Sequence, residues 1–283
     1  MWAYWLGAIP VTVEEILKAC PRQRVTALSR GALSYRTAGQ GPAVVFLHGL
    51  AGNSLSWARQ FPALAARYRI VAWDAPGFGL SDAVEPDVEV FADVLRELLD
   101  HLGCGPAAVA GHSMGGVVAA RLAAGHPDKV ARLVLSCSHA GYGESADSPM
   151  QPRVEQRVRE LASVGAAEYG LIRARGLFPA GFADKEAMGV AAGVAAEARP
   201  EGIRSSTRML QLADNRSVLP RLEMPVLVIT GERDPVVKPH LRDELRALTP
   251  QARHIEMPGA GHAPYLEYPA AYNAILDEFL SPG

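Results

Sequence analysis

Short, continuous apolar runs recur along the chain and alternate with stretches of helical spacing. A run without polar residues is typical of a β-strand that is covered on both faces. Such runs predict strands at residues 44–47, 70–73, 107–110, 130–135, 226–229 and 252–257. Apolar residues at helical spacing predict helices at residues 13–20, 57–67, 88–102, 115–124, 242–248 and 270–280.

This alternation of strands and helices indicates the fold class. Residues 24–28 and 33–37 predict two further strands, joined by a hairpin turn at Arg30-Gly31. A helix that follows a strand carries the chain back to the end of the sheet where that strand began, so the next strand lies parallel to it. We therefore expect an α/β fold with a mostly parallel central sheet and helices on both of its faces.

The stretch at residues 140–219 departs from the alternation. It is rich in Ala, Arg and Glu, and its helical patches fall at 154–164, 166–175 and 205–213. It is too long for a simple connection, so we expect a helical cap inserted between two strands. Several crossover helices packed on the sheet are the alternative. The predicted units are a first core part at 1–139 with an N-terminal segment at 1–23, the cap at 140–219, and a second core part at 220–283.

Composition is that of an ordinary globular protein. The 283 residues are 49% hydrophobic and 20% charged, with a formal net charge of −2. This balance indicates neither a nucleic-acid nor a membrane partner, and three scattered cysteines do not form a disulfide or metal-site pattern. Since no secretory or membrane-spanning segment is recognisable, we expect a cytoplasmic protein, with a homo-oligomer left open. Trp2, Tyr4 and Trp5 are expected to dock on the body of the protein or on a partner.

A serine lies at the predicted junction between a strand and a helix. The stretch reads Gly111-His112-Ser113-Met114-Gly115, and it follows the apolar run at 107–110. Glycines beside such a serine allow a sharp turn and close packing of the strand and the helix. A tight turn of this kind exposes the hydroxyl and holds it rigidly. Ser113 is therefore a candidate nucleophile, provided that another residue acts as its base.

Two later strands are each followed by a residue that could complete a catalytic triad. Asp234 follows the strand at 226–229, and His262 follows the strand at 252–257 in a loop rich in Gly and Pro. Parallel sheets gather their sites at the carboxyl ends of the strands. We therefore predict a triad of Ser113, Asp234 and His262. Glu232 is the local competitor for the role of the acid.

Five ordered segments carry a family resemblance, which covers nearly all of the chain outside the N-terminal segment and the cap. They are FLHGL at 46–50, WDAPGFGLSD at 73–82, GHSMGG at 111–116, GERDP at 231–235 and GHAPYLE at 261–267. The chain thereby resembles the α/β-hydrolase-fold family, and Asp234 matches the position of the family acid before Pro235. The resemblance implies an oxyanion hole formed by the backbone N–H groups of Leu50 and Met114. It also implies chemistry that needs neither a metal nor an organic cofactor.

Other polar residues near these motifs are assigned supporting roles. His48 precedes the oxyanion loop and is expected to orient it, whereas His112 is expected to point away from the reaction and to pack. His139 begins the cap and is a candidate for lining the pocket. Asp74 and Asp82 bracket a Gly/Pro loop that usually shapes the site in this family, and we do not expect them to be catalytic.

The resemblance narrows the reaction to a few classes. A serine nucleophile argues against dehalogenases and epoxide hydrolases, which carry an aspartate there. The predicted substrate is a small carboxylic ester or lactone, cleaved through an acyl-enzyme. C–C hydrolases of aromatic ring-fission products often have Trp after the histidine, where this chain has Ala263. That class, perhydrolases, acyltransferases and a non-enzymatic binding protein of the same fold remain the alternatives.

The cap carries several arginines that bear on substrate choice. They are Arg153, Arg157, Arg159, Arg173 and Arg175. Guanidinium groups bind carboxylates well, so these residues are candidates for holding a carboxylate of the substrate. Acidic residues are interspersed among them, and a solvated helix face is the preferred interpretation from the sequence.

Overall fold

A computed structural model of the chain describes residues 12–281. The expected packing of Trp2, Tyr4 and Trp5 lies outside these residues. Within this range, eight strands form one sheet: β1 (Arg24–Leu28), β2 (Gly31–Ala38), β3 (Ala43–Leu47), β4 (Arg69–Trp73), β5 (Ala107–His112), β6 (Val130–Ser136), β7 (Val226–Gly231) and β8 (Arg253–Met257).

The order of the strands across the sheet is β1-β2-β4-β3-β5-β6-β7-β8. β1 pairs with β2 and β2 with β4 in antiparallel register, and every other neighbouring pair is parallel. The predicted hairpin at Arg30-Gly31 is confirmed, because Gly31 pairs with Leu28 directly across it. The predicted mostly parallel sheet is confirmed as well.

Eleven α-helices accompany the sheet in the described part of the chain. They are α1 (Val13–Lys18), α2 (Gln60–Leu64), α3 (Val88–Leu102), α4 (Met114–Gly125), α5 (Pro152–Val164), α6 (Ala166–Arg175), α7 (Lys185–Ala196), α8 (Pro200–Leu212), α9 (Pro239–Leu248), α10 (Pro264–Glu267) and α11 (Pro269–Leu280). None of these helices is both long enough and apolar enough to cross a lipid bilayer.

Helices cover both faces of the sheet, as the continuous apolar runs predicted. Alternate residues of a strand point to opposite faces. In β3, Val45 and Leu47 pack in the cluster that includes α3 and α4, whereas Val44 and Phe46 pack in the cluster that includes α2 and α11. Every one of these four side chains is almost completely buried, so the strand needs apolar residues at each position.

One predicted helix differs from the observed structure, and the observed helix α7 was not predicted. The stretch at 57–67 is not one helix, because a 3₁₀ turn at Ser54–Trp57 precedes the short helix α2. The helix α7 was missed in the sequence. Its Ala, Gly and Val residues give only a weak contrast between faces, although six of its residues are buried.

Four helices, α5 to α8, lie between β6 and β7 in the sequence region that departed from the strand–helix alternation. α6 packs on α7, and α5 packs on α8. Gly202 near the start of α8 lies so close to Gly77 that a side chain on either residue would overlap the other backbone. This close approach places the start of α8 directly against the loop that follows β4.

Candidate active site

Ser113 occupies a strained turn between β5 and α4. Its backbone has φ 52° and ψ −115°, a conformation that residues with a side chain rarely adopt. The Ser113 N–H donates to the carbonyl of Ser136 (2.9 Å), and the Ser138 hydroxyl donates to the carbonyl of Ser113 (2.7 Å). Neighbouring structure therefore holds the strained residue in place, as is common at functional sites.

The glycines on both sides of the turn are needed for space. A side chain on Gly111 would overlap the backbone of Gly115, and one on Gly115 would overlap the backbone of Leu47 in β3. The Gly-x-Ser-x-Gly pattern thus lets the start of α4 lie directly on the ends of β3 and β5. Because a helix leaves its first N–H groups without intrahelical acceptors, the Met114 N–H is available at this point.

Asp234 and His262 lie in direct contact. The loops that carry them follow the neighbouring parallel strands β7 and β8, so both begin at the same edge of the sheet. His262 Nδ1 donates a hydrogen bond of 2.9 Å to Asp234 Oδ2, and both side chains are almost completely buried. In a neutral imidazole this bond places the single N–H proton on Nδ1 and leaves Nε2 as an acceptor.

The carboxylate of Asp234 is fixed by three donors. Its Oδ1 accepts the backbone N–H groups of Val236 (2.7 Å) and Val237 (3.0 Å). Burial alone would raise the pKa of Asp234, but the bond from His262 and these two N–H groups outweigh burial and hold the pKa below its ordinary value. Glu232 is exposed and accepts instead from the Gly259 N–H at 2.8 Å.

His112 supports the loop of His262, a role that was missed in the sequence. Its Nε2 donates to the carbonyl of His262 at 2.7 Å, and its ring packs against the rings of His262 and Tyr265 with centroids 4.7 and 4.9 Å away. Burial, followed by the proximity of His262, lowers the pKa of His112 to about 3. His112 is therefore a neutral donor, packed as expected but against the candidate base itself.

The loop after β3 lies beside Ser113. A side chain on Gly49 would approach Cβ of Ser113 to 3.2 Å, so the loop backbone is in close contact with the serine. His48 Nδ1 donates to the carbonyl of Gly49 (2.8 Å), while His48 Nε2 accepts the Ala75 N–H (2.9 Å). These two bonds support the expectation that His48 orients the loop that carries Leu50.

Asp74 and Asp82 hold backbone segments behind this loop. The buried Asp74 accepts the Ser54 N–H through Oδ1 and the Ser34 hydroxyl through Oδ2, each at 2.6 Å. Asp82 accepts the N–H of Ala32 at 2.8 Å. Both carboxylates are thus occupied by structural donors, in agreement with the supporting role expected for them.

Ser113, His262 and Leu50 line one cavity of about 340 Å³, a size that suits a small organic ligand. His139 also lines it and its Nδ1 accepts the Gly141 N–H at 3.0 Å. Burial, then the nearby His262, lowers the pKa of His139 to about 4, so the ring is neutral. Residues of α5 to α8 complete the wall: Arg153, Arg157, Tyr169, Arg173, Ala191, Val194, Ala195, Ile203, Thr207 and Leu210.

Cys137 adds a thiol to the histidine–carboxylate pair. Its sulfur and one ligand atom each of Asp234 and His262 lie within 4.8 Å of one another. Burial raises the pKa of the Cys137 thiol well above its ordinary value, and Asp234 raises it further. The buried thiol donates to the carbonyl of Gly261 at 3.8 Å, which fits a protonated, packed residue.

Comparison with known proteins agrees with this architecture. The family model described as "Alpha/beta hydrolase family" matches residues 44–275. A pimeloyl-[acyl-carrier protein] methyl ester esterase of Chromobacterium violaceum is 32% identical, with 88% of this chain and 98% of the relative covered. The crystal structure of the enol-lactonase of Burkholderia xenovorans matches with a TM-score of 0.80 and 27% identity, and the match covers 92% of this chain and 100% of that one. The structure of a hydrolase of Pseudomonas aeruginosa matches with a TM-score of 0.81 and 25% identity, and the match covers 92% of this chain and 99% of that one.

The eight-stranded, mostly parallel sheet with helices on both faces is the α/β-hydrolase architecture that the chain shares with these structures. The match of the family model extends over most of the chain. The protein is an enzyme of the alpha/beta hydrolase family, and the resemblance stated from the sequence motifs is confirmed.

Proposed function

We propose that the protein hydrolyses a small carboxylic ester or lactone, with Ser113 as nucleophile, His262 as base and Asp234 as the acid that orients it. The observation that supports this most is the 2.9 Å bond from His262 Nδ1 to Asp234 Oδ2 beside a cavity that His262 shares with Ser113. In a triad, that bond keeps Nε2 free to accept the proton of the serine.

The proposed reaction has two halves. Ser113 Oγ attacks the carbonyl carbon while His262 Nε2 takes the hydroxyl proton, and the oxyanion is stabilised by the N–H groups of Leu50 and Met114. His262 then gives the proton to the departing alcohol oxygen, which leaves an acyl group on Ser113. Water attacks this acyl-enzyme while the same imidazole takes its proton. His262 then returns that proton to Ser113 Oγ as the bond between Ser113 and the acyl carbon breaks, which releases the acid and restores the enzyme.

The names of the relatives support the bond type. The relatives from Chromobacterium violaceum and Nitrosomonas europaea, 32% and 30% identical, are methyl ester esterases, and the Burkholderia xenovorans structure is an enol-lactonase. Each name refers to a carboxylic ester, open or cyclic. We propose the same bond here, with residues 140–219 as a cap that selects the substrate and the cytoplasm as the location.

The test is a fluorophosphonate probe combined with a turnover screen. The screen covers p-nitrophenyl esters of rising acyl length, lactones and a ring-fission dienoate. We expect the wild-type protein to be labelled at Ser113 and to hydrolyse esters or lactones. The variant Ser113→Ala should lose both properties with an unchanged melting temperature, whereas Ser163→Ala, on an exposed cap residue, should keep both.

Three outcomes would contradict the proposal. Wild-type turnover by Ser113→Ala would exclude this residue as the nucleophile. Cleavage of the dienoate without cleavage of any ester or lactone would favour the C–C hydrolase alternative. An unlabelled wild-type protein without turnover would favour a binding protein of the same fold.

A further inference from the structure

Three arginines reach the cavity from the helices above the sheet. Arg153 and Arg157 lie one turn apart on α5, and Arg173 lies on α6. All three side chains line the cavity that contains Ser113, and within residues 12–281 its wall includes no Asp or Glu. The wall is therefore positively charged where α5 and α6 line it, although the whole chain is slightly acidic.

The three guanidinium groups differ in their partners. Arg173 forms an ion pair of 3.2 Å with Glu160 and lies over the ring of Tyr169. Arg153 is exposed and lies over the ring of Tyr142, 5.3 Å from its centroid. Aromatic faces and water can stabilise a cation in such positions. Two of the three arginines are thus accounted for by contacts within the protein.

Arg157 lacks a counter-ion. Among the residues that the structure describes, no carboxylate lies within 4.0 Å of its guanidinium, and it forms no hydrogen bond to protein. The side chain is partly buried, and burial, followed by the positive charge of Arg173, lowers the pKa of Arg157. A partly desolvated cation beside like charges is unfavourable unless an anion from outside compensates it.

We propose that Arg157 binds a carboxylate of the substrate, with Arg153 and Arg173 adding positive potential on either side. This assignment rests on the proposed ester hydrolysis and names its substrate class: an ester or lactone that also carries a free carboxylate. A guanidinium binds a carboxylate through two parallel hydrogen bonds. One unpaired guanidinium matches the single charge of a carboxylate better than the double charge of a phosphate.

The test compares matched substrates that differ only in charge. Monomethyl adipate carries the carboxylate, and methyl adipamate replaces it with a neutral carboxamide of the same shape. We expect the wild-type kcat/KM to be at least about 10-fold higher for the anionic ester, because charge-assisted hydrogen bonds are about twice as strong as neutral ones. In Arg157→Gln this ratio should fall towards one, mainly through a higher KM for monomethyl adipate, with only the smaller preference that Arg153 and Arg173 supply remaining.

The control is Arg159→Gln, an exposed arginine of the same helix that does not line the cavity. It should keep the wild-type ratio between the two esters. Two further substrates test on which side of the ester bond the carboxylate binds and whether the site prefers a carboxylate to a phosphonate. 4-Acetoxybutanoate carries the carboxylate on the alcohol side, and methyl 5-phosphonopentanoate replaces the carboxylate with a phosphonate.

The possible results distinguish a failure of the carboxylate site at Arg157 from a failure of ester hydrolysis itself. Equal wild-type kcat/KM for the anionic and neutral esters, an unchanged ratio in Arg157→Gln, or a preference for the phosphonate would overturn the carboxylate site. If no ester is hydrolysed at all, calorimetry with monomethyl adipate and Ser113→Ala still decides. Binding that is lost when Arg157→Gln is added would support the site, and undetectable binding would reject it.

Discussion

Oε2 of Glu267 accepts a hydrogen bond of 2.7 Å from the backbone N–H of Gly261. Oε1 of the same carboxylate accepts the N–H of Ala263 at 2.9 Å, so Glu267 holds the chain on both sides of His262. Burial raises the pKa of Glu267, and the two N–H groups only partly oppose this effect. The buried carboxylate of Glu267 thus fixes the loop that carries the candidate base.

Replacing Glu267 with Gln should loosen that loop. The amide nitrogen of Gln cannot accept, so one of the two buried N–H groups loses its partner, at a cost of about 1–3 kcal/mol. We expect a lower melting temperature and a kcat reduced about 10-fold with little change in KM. The exposed Glu256 is the matched control, and Glu256→Gln should behave as wild type. A wild-type kcat in Glu267→Gln would show that His262 does not depend on this carboxylate.

Replacing Asp234 with Asn should nearly abolish turnover. An amide can donate to His262 Nδ1 and so favour the tautomer with its proton on Nε2, which cannot accept from Ser113. We expect a loss of about 10³- to 10⁴-fold in kcat, measured under steady-state conditions. Glu232→Gln changes the exposed carboxylate two residues before Asp234, and its kcat should stay within about threefold of wild type. The reverse result would make Glu232 the acid.

Two buried histidines should make the protein sensitive to acid. Burial lowers the pKa of His112 to about 3 and that of His139 to about 4, whereas unfolded histidine titrates near 6.5. Below pH 6.5 the unfolded chain binds protons that the folded chain does not, so stability falls as the pH falls towards these folded-state pKa values. Each histidine contributes a slope of up to about 1.4 kcal/mol per pH unit.

Urea unfolding between pH 7 and pH 4.5 measures this slope. His112→Gln keeps a donor for the carbonyl of His262 but cannot titrate in this range. The free energy of unfolding of this variant should therefore depend less steeply on pH than that of the wild type. Equal slopes in the two proteins would mean that His112 is not a buried neutral histidine.

Two glycines of α4 should respond in opposite directions to the same substitution. A methyl group on Gly115 would overlap the backbone of Leu47. On Gly125, apart from the adjacent residues and the backbone of α4 itself, no described atom lies within 4 Å of the position that the methyl group would take. We expect Gly115→Ala to lower the melting temperature by several degrees and to reduce activity by displacing Ser113. Gly125→Ala should be neutral or stabilising by up to about 1 kcal/mol. Similar melting temperatures for the two variants would contradict the close contact of α4 with β3.

The sequence by itself determined the type and order of the core elements. Continuous apolar runs such as 44–47 and 226–229 are typical of a strand covered on both faces, and they recur between helical stretches. Local patterns also indicated Ser113, Asp234 and His262, because each lies where a strand must end. The split at 54–64 and the helix α7 were missed, since short turns and Ala-rich helices have little contrast between polar and apolar faces.

Only the tertiary structure decided which polar groups meet. It placed Asp234, and not Glu232, within hydrogen-bond distance of His262, and it joined His112 and Glu267 to the loop of His262. It also left Arg157 on the cavity wall without a carboxylate in the described chain. These contacts join residues far apart in the sequence, and no periodicity encodes the direction of a single side chain. The pattern of hydrophobic residues specifies which faces are buried, whereas charges and hydrogen bonds acquire partners only after those faces have packed.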